Sequence, residues 1–92
     1  MRISWSTAAQ SDLGRLHDFL AEHDLDAADQ ALDILIEAPE VLLDFPRRGP
    51  RLTRFEGQEI RELKVGDYVL RYELSGVEIK VLRLFHGRED RF

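Results

Sequence analysis

At 92 residues, with 43% hydrophobic and 34% charged side chains, the chain holds apolar material for one modest core, so a single domain over 1–92 is expected. The lack of cysteine excludes disulfide staples and thiolate metal sites, and a net charge of −5 argues against a surface given over to gripping phosphate. That charge is uneven: residues 1–46 set Arg2 and Arg15 against ten acids for a net −8, whereas residues 47–92 carry a net +3, which points to two faces with different partners.

The opening stretch MRISWSTAAQ lacks the apolar run of a secretory signal, and no segment reaches the ~20 apolar residues of a membrane span, so the cytoplasm is the expected location and no membrane contact is expected. Ile3 and Trp5 alternate with Arg2 and Ser4, which predicts a short first strand. Thr7-x-x-Gln10 has capping-box spacing and starts a helix in which Ala9, Leu13, Leu16 and Leu20 form the apolar stripe, while Gln10, Asp12, Arg15, Asp18 and Glu22 fall elsewhere; it ends near His23. Asp24 or Asp26 then caps a second helix with Ala28, Leu32, Leu35 and Ile36 on one face, antiparallel to the first. Pro39 predicts a kink or break at Ala38, and Phe45-Pro46-Arg47-Arg48-Gly49-Pro50 ends the helical half.

Three strands follow. Glu59 to Leu63 is the first, Lys64 to Asp67 a turn, and Tyr68 to Leu74 the next, with Tyr68, Leu70, Tyr72 and Leu74 on one face. Ser75-Gly76 turns into Glu78 to Phe85, where Ile79, Val81 and Phe85 lie on one side and Leu82 and Leu84 on the other, as expected of an inner strand. The order β-α-α-β-β-β predicts an α+β fold in which an N-terminal strand and a helical hairpin pack on a small, mainly antiparallel, curved sheet. Leu13, Leu16, Leu32, Ile36, Ile79 and Val81 are the expected core, with Trp5 beside them.

Taken together, the early strand, the helix TAAQSDLGRLHDFL, the loop LLDFPRRG, the strand QEIREL and the hairpin YVLRYELSGVEIKVLRLFHGRED resemble the RelE/ParE superfamily of toxins from type II toxin-antitoxin systems. The ending HGRED is most similar to the ParE branch. That resemblance implies a protein that inhibits DNA gyrase by binding it, without enzymatic chemistry, that contributes to plasmid stabilization, and that is neutralised in a hetero-oligomer with a ParD-like antitoxin whose disordered tail folds around it. It implies no cofactor. The RelE-like relatives imply a different activity, metal-independent cleavage of messenger RNA in the ribosome, and a plain interaction module with no toxicity is a third reading.

A ribonuclease needs a general base, cations for the phosphate and an acid for the leaving oxygen. The candidates are His86, Arg61, Arg83 and Arg88, with Arg71 and Arg91 nearby in sequence and Tyr68 or Tyr72 as an acid or stacking surface. Where RelE-type sequences carry an arginine in the YVLRY strand, this chain has Val69, which together with the acidic charge weakens the nuclease reading and makes direct nucleic-acid binding by the isolated chain unexpected. Under the gyrase-binding reading no residue is catalytic, and Arg61, Arg83, His86, Arg88 and Arg91 are the expected partner-binding residues. Arg83 lies within an apolar strand and so needs a carboxylate; Glu62 or Glu73 is the expected one. His17, His23 and His86 have no ligand spacing, so no metal site is expected.

Overall fold

A computed structural model describes residues 1–89. Its elements are β1 (Arg2–Trp5), α1 (Thr7–Ala21), α2 (Leu25–Glu37), a 3₁₀ turn (Ala38–Glu40), α3 (Val41–Asp44), β2 (Glu59–Val65), β3 (Tyr68–Ser75) and β4 (Glu78–His86). The sheet order is β1-β4-β3-β2, parallel between β1 and β4 and antiparallel elsewhere. The expected α+β architecture is therefore present, with β4 inside the sheet. Glycines at positive φ, Gly66 at 59° and Gly76 at 59°, open the two-residue turns of the β2–β3 and β3–β4 hairpins.

Ala9, Leu16, Leu35, Leu42, Leu70, Tyr72, Ile79, Val81 and Leu84 are buried between helices and sheet, and Trp5, Leu13 and Tyr68 pack against them. Ile36 corrects the expected core: it is 48% exposed, because Ala28, Leu35 and Leu42 take the buried stripe and leave Ile36 on the flank. The interruption expected at Ala38 is present as a change of helix type: α2 ends at Glu37 and Ala38–Glu40 form the 3₁₀ turn. Pro39 sits in the first turn of the 3₁₀ segment, where a missing N–H costs nothing, and α3 follows directly.

Helix α1 starts at Thr7 as expected, but its cap is not Thr7. The cap is Ser6, whose hydroxyl accepts from Ala9 N at 3.0 Å and donates to Leu82 O at 2.8 Å, whereas Gln10 reaches back to Trp5 O. Position 6 holds the cap because β1 and β4 part there. Their pairing ends at Trp5 opposite Val81, and beyond it α1 lies along the free edge of β4. Ser6 N donates to Val81 O, Leu84 N donates to Asp12 at 2.9 Å, and Arg15 donates to Leu84 O at 3.2 Å. Side chains thus satisfy an edge that backbone pairing leaves open.

Leu82 is an extra residue in β4, since Arg71 pairs with Arg83 but Tyr72 pairs with Val81. This bulge resets the alternation, so that Leu84 joins Ile79 and Val81 in the core while Phe85, also buried, faces the other side of the sheet. The expected grouping of Phe85 with Ile79 and Val81 is corrected accordingly. On that second face the Arg71 guanidinium stands between the rings of Phe55 and Phe85, 5.5 Å and 5.1 Å from their centroids.

Candidate functional site

Of the residues singled out in the sequence, the structure groups Tyr68, His86 and Arg88 at one end of the sheet, pairs Arg71 with Arg83 across β3 and β4 beside Phe85, and sets Arg61 and Tyr72 apart from His86. Arg61 lies opposite Tyr72 and His86 opposite Tyr68, four residues or roughly 13 Å apart along β3. Arg61 donates to Glu59 at 2.8 Å, to Gly49 O at 2.8 Å and to Arg47 O, so it secures the loop before β2. Glu59 also receives Arg47, and hydrogen bonds from Arg47 and Arg61 hold its carboxyl below the usual range. Arg83 pairs with neither Glu62 nor Glu73. It donates to Asp12 at 2.8 and 3.1 Å, while Glu62 takes Arg71. Tyr72 is fully buried and structural, its hydroxyl donating to Pro46 O and accepting from Gly49 N. Arg91 lies outside the described residues.

Asp12, expected to fall off the apolar stripe of α1, is buried at 3% exposure. Burial alone would raise its pKa, but hydrogen bonds from Arg83 and the Leu84 amide, with the charges of Arg83 and Arg15, outweigh it and hold the carboxyl below its ordinary value. The signal was in the spacing: positions 9, 12 and 16 share one helical face, so Asp12 sits on the buried stripe of Ala9 and Leu16.

His86 ends β4. Its ring meets Tyr68 edge-on, with centroids 5.5 Å apart at 85°. The Gly87 amide donates to Asp67 O at 2.7 Å, so close that a side chain at 87 would crowd that carbonyl. The following turn is closed by Glu89, which accepts from His86 N at 2.9 Å and, on its two carboxylate oxygens, from Arg15 Nη1 at 3.0 and 2.9 Å. Burial would raise the Glu89 pKa, but the His86 amide and Arg15 outweigh that and lower it. The Arg88 amide donates to His86 Nδ1 at 3.2 Å, so the neutral imidazole keeps its proton on Nε2. Burial, then the charge of Asp67, raises the Tyr68 pKa, so this phenol remains a neutral hydrogen-bonding group.

Three depressions meet at this pair. One of about 480 Å³ has Leu16, Phe19, Leu20 and Tyr68 as its apolar walls and His86, Arg88, Arg15 and Glu89 as its rim. A second, about 270 Å³, continues past Tyr68 between Val65 and the Ala27, Ala31 and Ile34 side of α2. A third, about 400 Å³, lies beyond His86 among Lys64, Asp67, Gly87 and Arg88. Phe19, 63% exposed, and Ile34, 57% exposed, leave the apolar trough open. No group of His, Asp and Glu among the described residues is arranged to hold a metal. No helix among them is long and apolar enough to cross a membrane.

Comparisons with known proteins agree with this architecture. A family model described as the ParE toxin of type II toxin-antitoxin system, parDE, matches residues 3–91. Toxin RelE1 of Caulobacter vibrioides is 36% identical over 90 residues, covering 94% of this chain and 92% of the relative. Among solved structures, a chain of the chromosomal ParDE system from P. aeruginosa superposes with a TM-score of 0.79 at 22% identity, covering 94% of this chain and 95% of that one. A conserved hypothetical protein of Helicobacter pylori gives a TM-score of 0.50 at 20% identity, with 97% of each chain covered. The chain belongs to the ParE toxin family of type II toxin-antitoxin systems, whose toxins are paired with an antitoxin.

Proposed function

We propose that this toxin acts by binding DNA gyrase and inhibiting it without catalysis, in the cytoplasm, and that a ParD-like antitoxin silences it in a hetero-oligomer. The observation that carries this reading is the state of the arginines. A phosphodiester-cleaving face needs cations free to meet phosphate, yet Arg71 is only 5% exposed, bound to Glu62 and flanked by Phe55 and Phe85. Arg61 and Arg83 are likewise committed, to Glu59 and to Asp12. An open apolar trough beside a charged rim suits protein docking better than in-line transfer of a phosphate.

The RelE-like reading has one observation in its favour, the grouping of His86 with Lys64 and Arg88 around one cleft. The two readings separate in one pair of assays. Purified toxin should block supercoiling by gyrase, and its induction should arrest growth with filamentation. Ribosome-dependent cleavage of messenger RNA, with supercoiling unaffected, would overturn the gyrase reading. Loss of both activities would leave an interaction module.

A further inference from the structure

We infer that Arg15 is a positioning residue for His86: through Glu89 it holds the turn at residues 86–89 closed, and the closed turn fixes which imidazole nitrogen carries the proton that a bound partner meets. This rests on the reading of the chain as a toxin that acts by binding its target, with His86 at the contact.

Beyond Trp5, no strand among the described residues pairs with the α1 side of β4. Its outward groups recur there at every second residue, and each finds a side chain where a strand is missing. Leu82 O accepts from Ser6, Leu84 N donates to Asp12, Leu84 O accepts from Arg15, and His86 N donates to Glu89. Ser6, Asp12 and Arg15 are fixed by α1 or its cap. Glu89 belongs to no helix or strand and follows the exposed Gly87 and Arg88, so its carboxylate needs another hold to stay beside the His86 amide. Arg15 supplies it. Its Nη1 donates to both Glu89 oxygens at 3.0 and 2.9 Å, while its Nη2 is anchored on Leu84 O at 3.2 Å and Asp12 at 3.4 Å.

The amides of all four turn residues are bonded. Gly87 N donates to Asp67 O, Glu89 N to His86 O at 3.0 Å, His86 N to the Glu89 carboxylate and Arg88 N to His86 Nδ1. The last three join the turn to itself and hold together while Glu89 stays beside His86. The Arg88 bond selects the tautomer: with Nδ1 accepting, the neutral ring carries its proton on Nε2. Tyr68, edge-on to the ring, constrains its plane but does not choose between its nitrogens. An open turn withdraws the Arg88 amide, and the ring then exchanges between both tautomers. A partner's acceptor would find the Nε2 donor for part of the time, so the Arg15–Glu89 clasp contributes to binding through preorganisation.

The test follows the imidazole nitrogens in the ¹⁵N-labelled full chain, at about pH 8.5, where an ordinary imidazole is neutral. Wild-type His86 should show one protonated Nε2 and one accepting Nδ1. In Arg15→Gln and in Glu89→Ala the two nitrogen shifts should move toward each other, with His23 as the unchanged control. Glu89→Ala leaves the Arg15 bond to Leu84 O in place, so it separates loss of the clasp from damage to α1. Gyrase inhibition should weaken about two- to fivefold in Arg15→Gln. In a His86→Gln background, which has no tautomer to select, Arg15→Gln should cost nothing further. Unchanged His86 nitrogen shifts in both clasp variants would overturn the inference. So would an undiminished loss from Arg15→Gln in the His86→Gln background, which would make Arg15 a direct contact or a general support. The two readings fail separately: a wild-type protein that leaves gyrase active rejects that target while the nitrogen shifts still decide the role of Arg15, whereas unchanged shifts with inhibition intact reject the positioning role alone.

Discussion

Asp12 and Arg83, 71 residues apart in sequence, close the free edge of β4: the carboxylate takes the Arg83 guanidinium through two bonds and the Leu84 amide through a third. Replacing Asp12 with Ala leaves a buried strand amide without an acceptor and an arginine without its counter-ion. The expected cost is about 2 to 3 kcal/mol, toward the lower end for a buried pair because Arg83 is partly in water. Asp12→Asn keeps an acceptor for Leu84 and should cost roughly half of that. Urea denaturation of both variants measures the difference. Wild-type stability in Asp12→Ala would show that the edge bonds are replaced by water at no cost.

Carboxylates in this network, together with Glu59 at the loop before β2, set the acid limb of stability. Asp12, Glu59 and Glu89 all have pKa values lowered in the folded state, so the unfolded chain binds protons more readily. Their contribution is complete above the ordinary carboxylate value of about 4 and is lost as the pH falls below it toward the depressed folded values. Urea midpoints should therefore hold steady from neutrality down to roughly pH 5 and then drop. Asp12→Asn, already without that charge, should show a shallower drop. An equal slope in both proteins would assign the acid sensitivity to other carboxylates.

Much of this architecture was legible because hydrophobic period and turn residues act locally. Gly66, Gly76 and the alternation in β3 placed the hairpins, and Asp24 capped α2 as its sequence position implied. What was not legible depends on contacts between distant segments. The partner of Arg83 could not be read from strand neighbours, because the bulge at Leu82 and the departure of β1 bring α1, not β2, to that edge. The candidate site was half visible: His86 and Arg88 stood out by chemistry, but Phe19 and Ile34 gained meaning only when folding left them exposed around Tyr68.

Gly49 gives a sharper test of the loop before β2. A Cβ at this position would run into the carbonyl of Glu62 on β2, a backbone atom that cannot swing aside. Gly49→Ala should therefore destabilise by about 1 to 3 kcal/mol through overpacking. Tyr72→Phe removes the hydroxyl that joins Pro46 O to Gly49 N and should cost about 1 kcal/mol, with the fold retained. Because both act on one contact, the double variant should lose less than the sum. Thermal melts of the three variants check this, and strict additivity would show that the two features are independent.

His86→Gln addresses chemistry against docking. A glutamine amide can present an N–H near the position of the imidazole Nε2, but it cannot take up a proton as a base. If His86 serves a bound partner as a donor, gyrase inhibition and antitoxin binding should weaken only about two- to fivefold, since one neutral hydrogen bond is largely preserved. If His86 were the base of a nuclease, messenger-RNA cleavage should fall about 10²- to 10⁴-fold. The Arg88 amide would lose its Nδ1 acceptor in either case, so amide shifts at Arg88 report that local change separately from activity. A variant that folds, keeps those local shifts small and still loses all gyrase inhibition would show that the imidazole does more at this surface than donate one hydrogen bond.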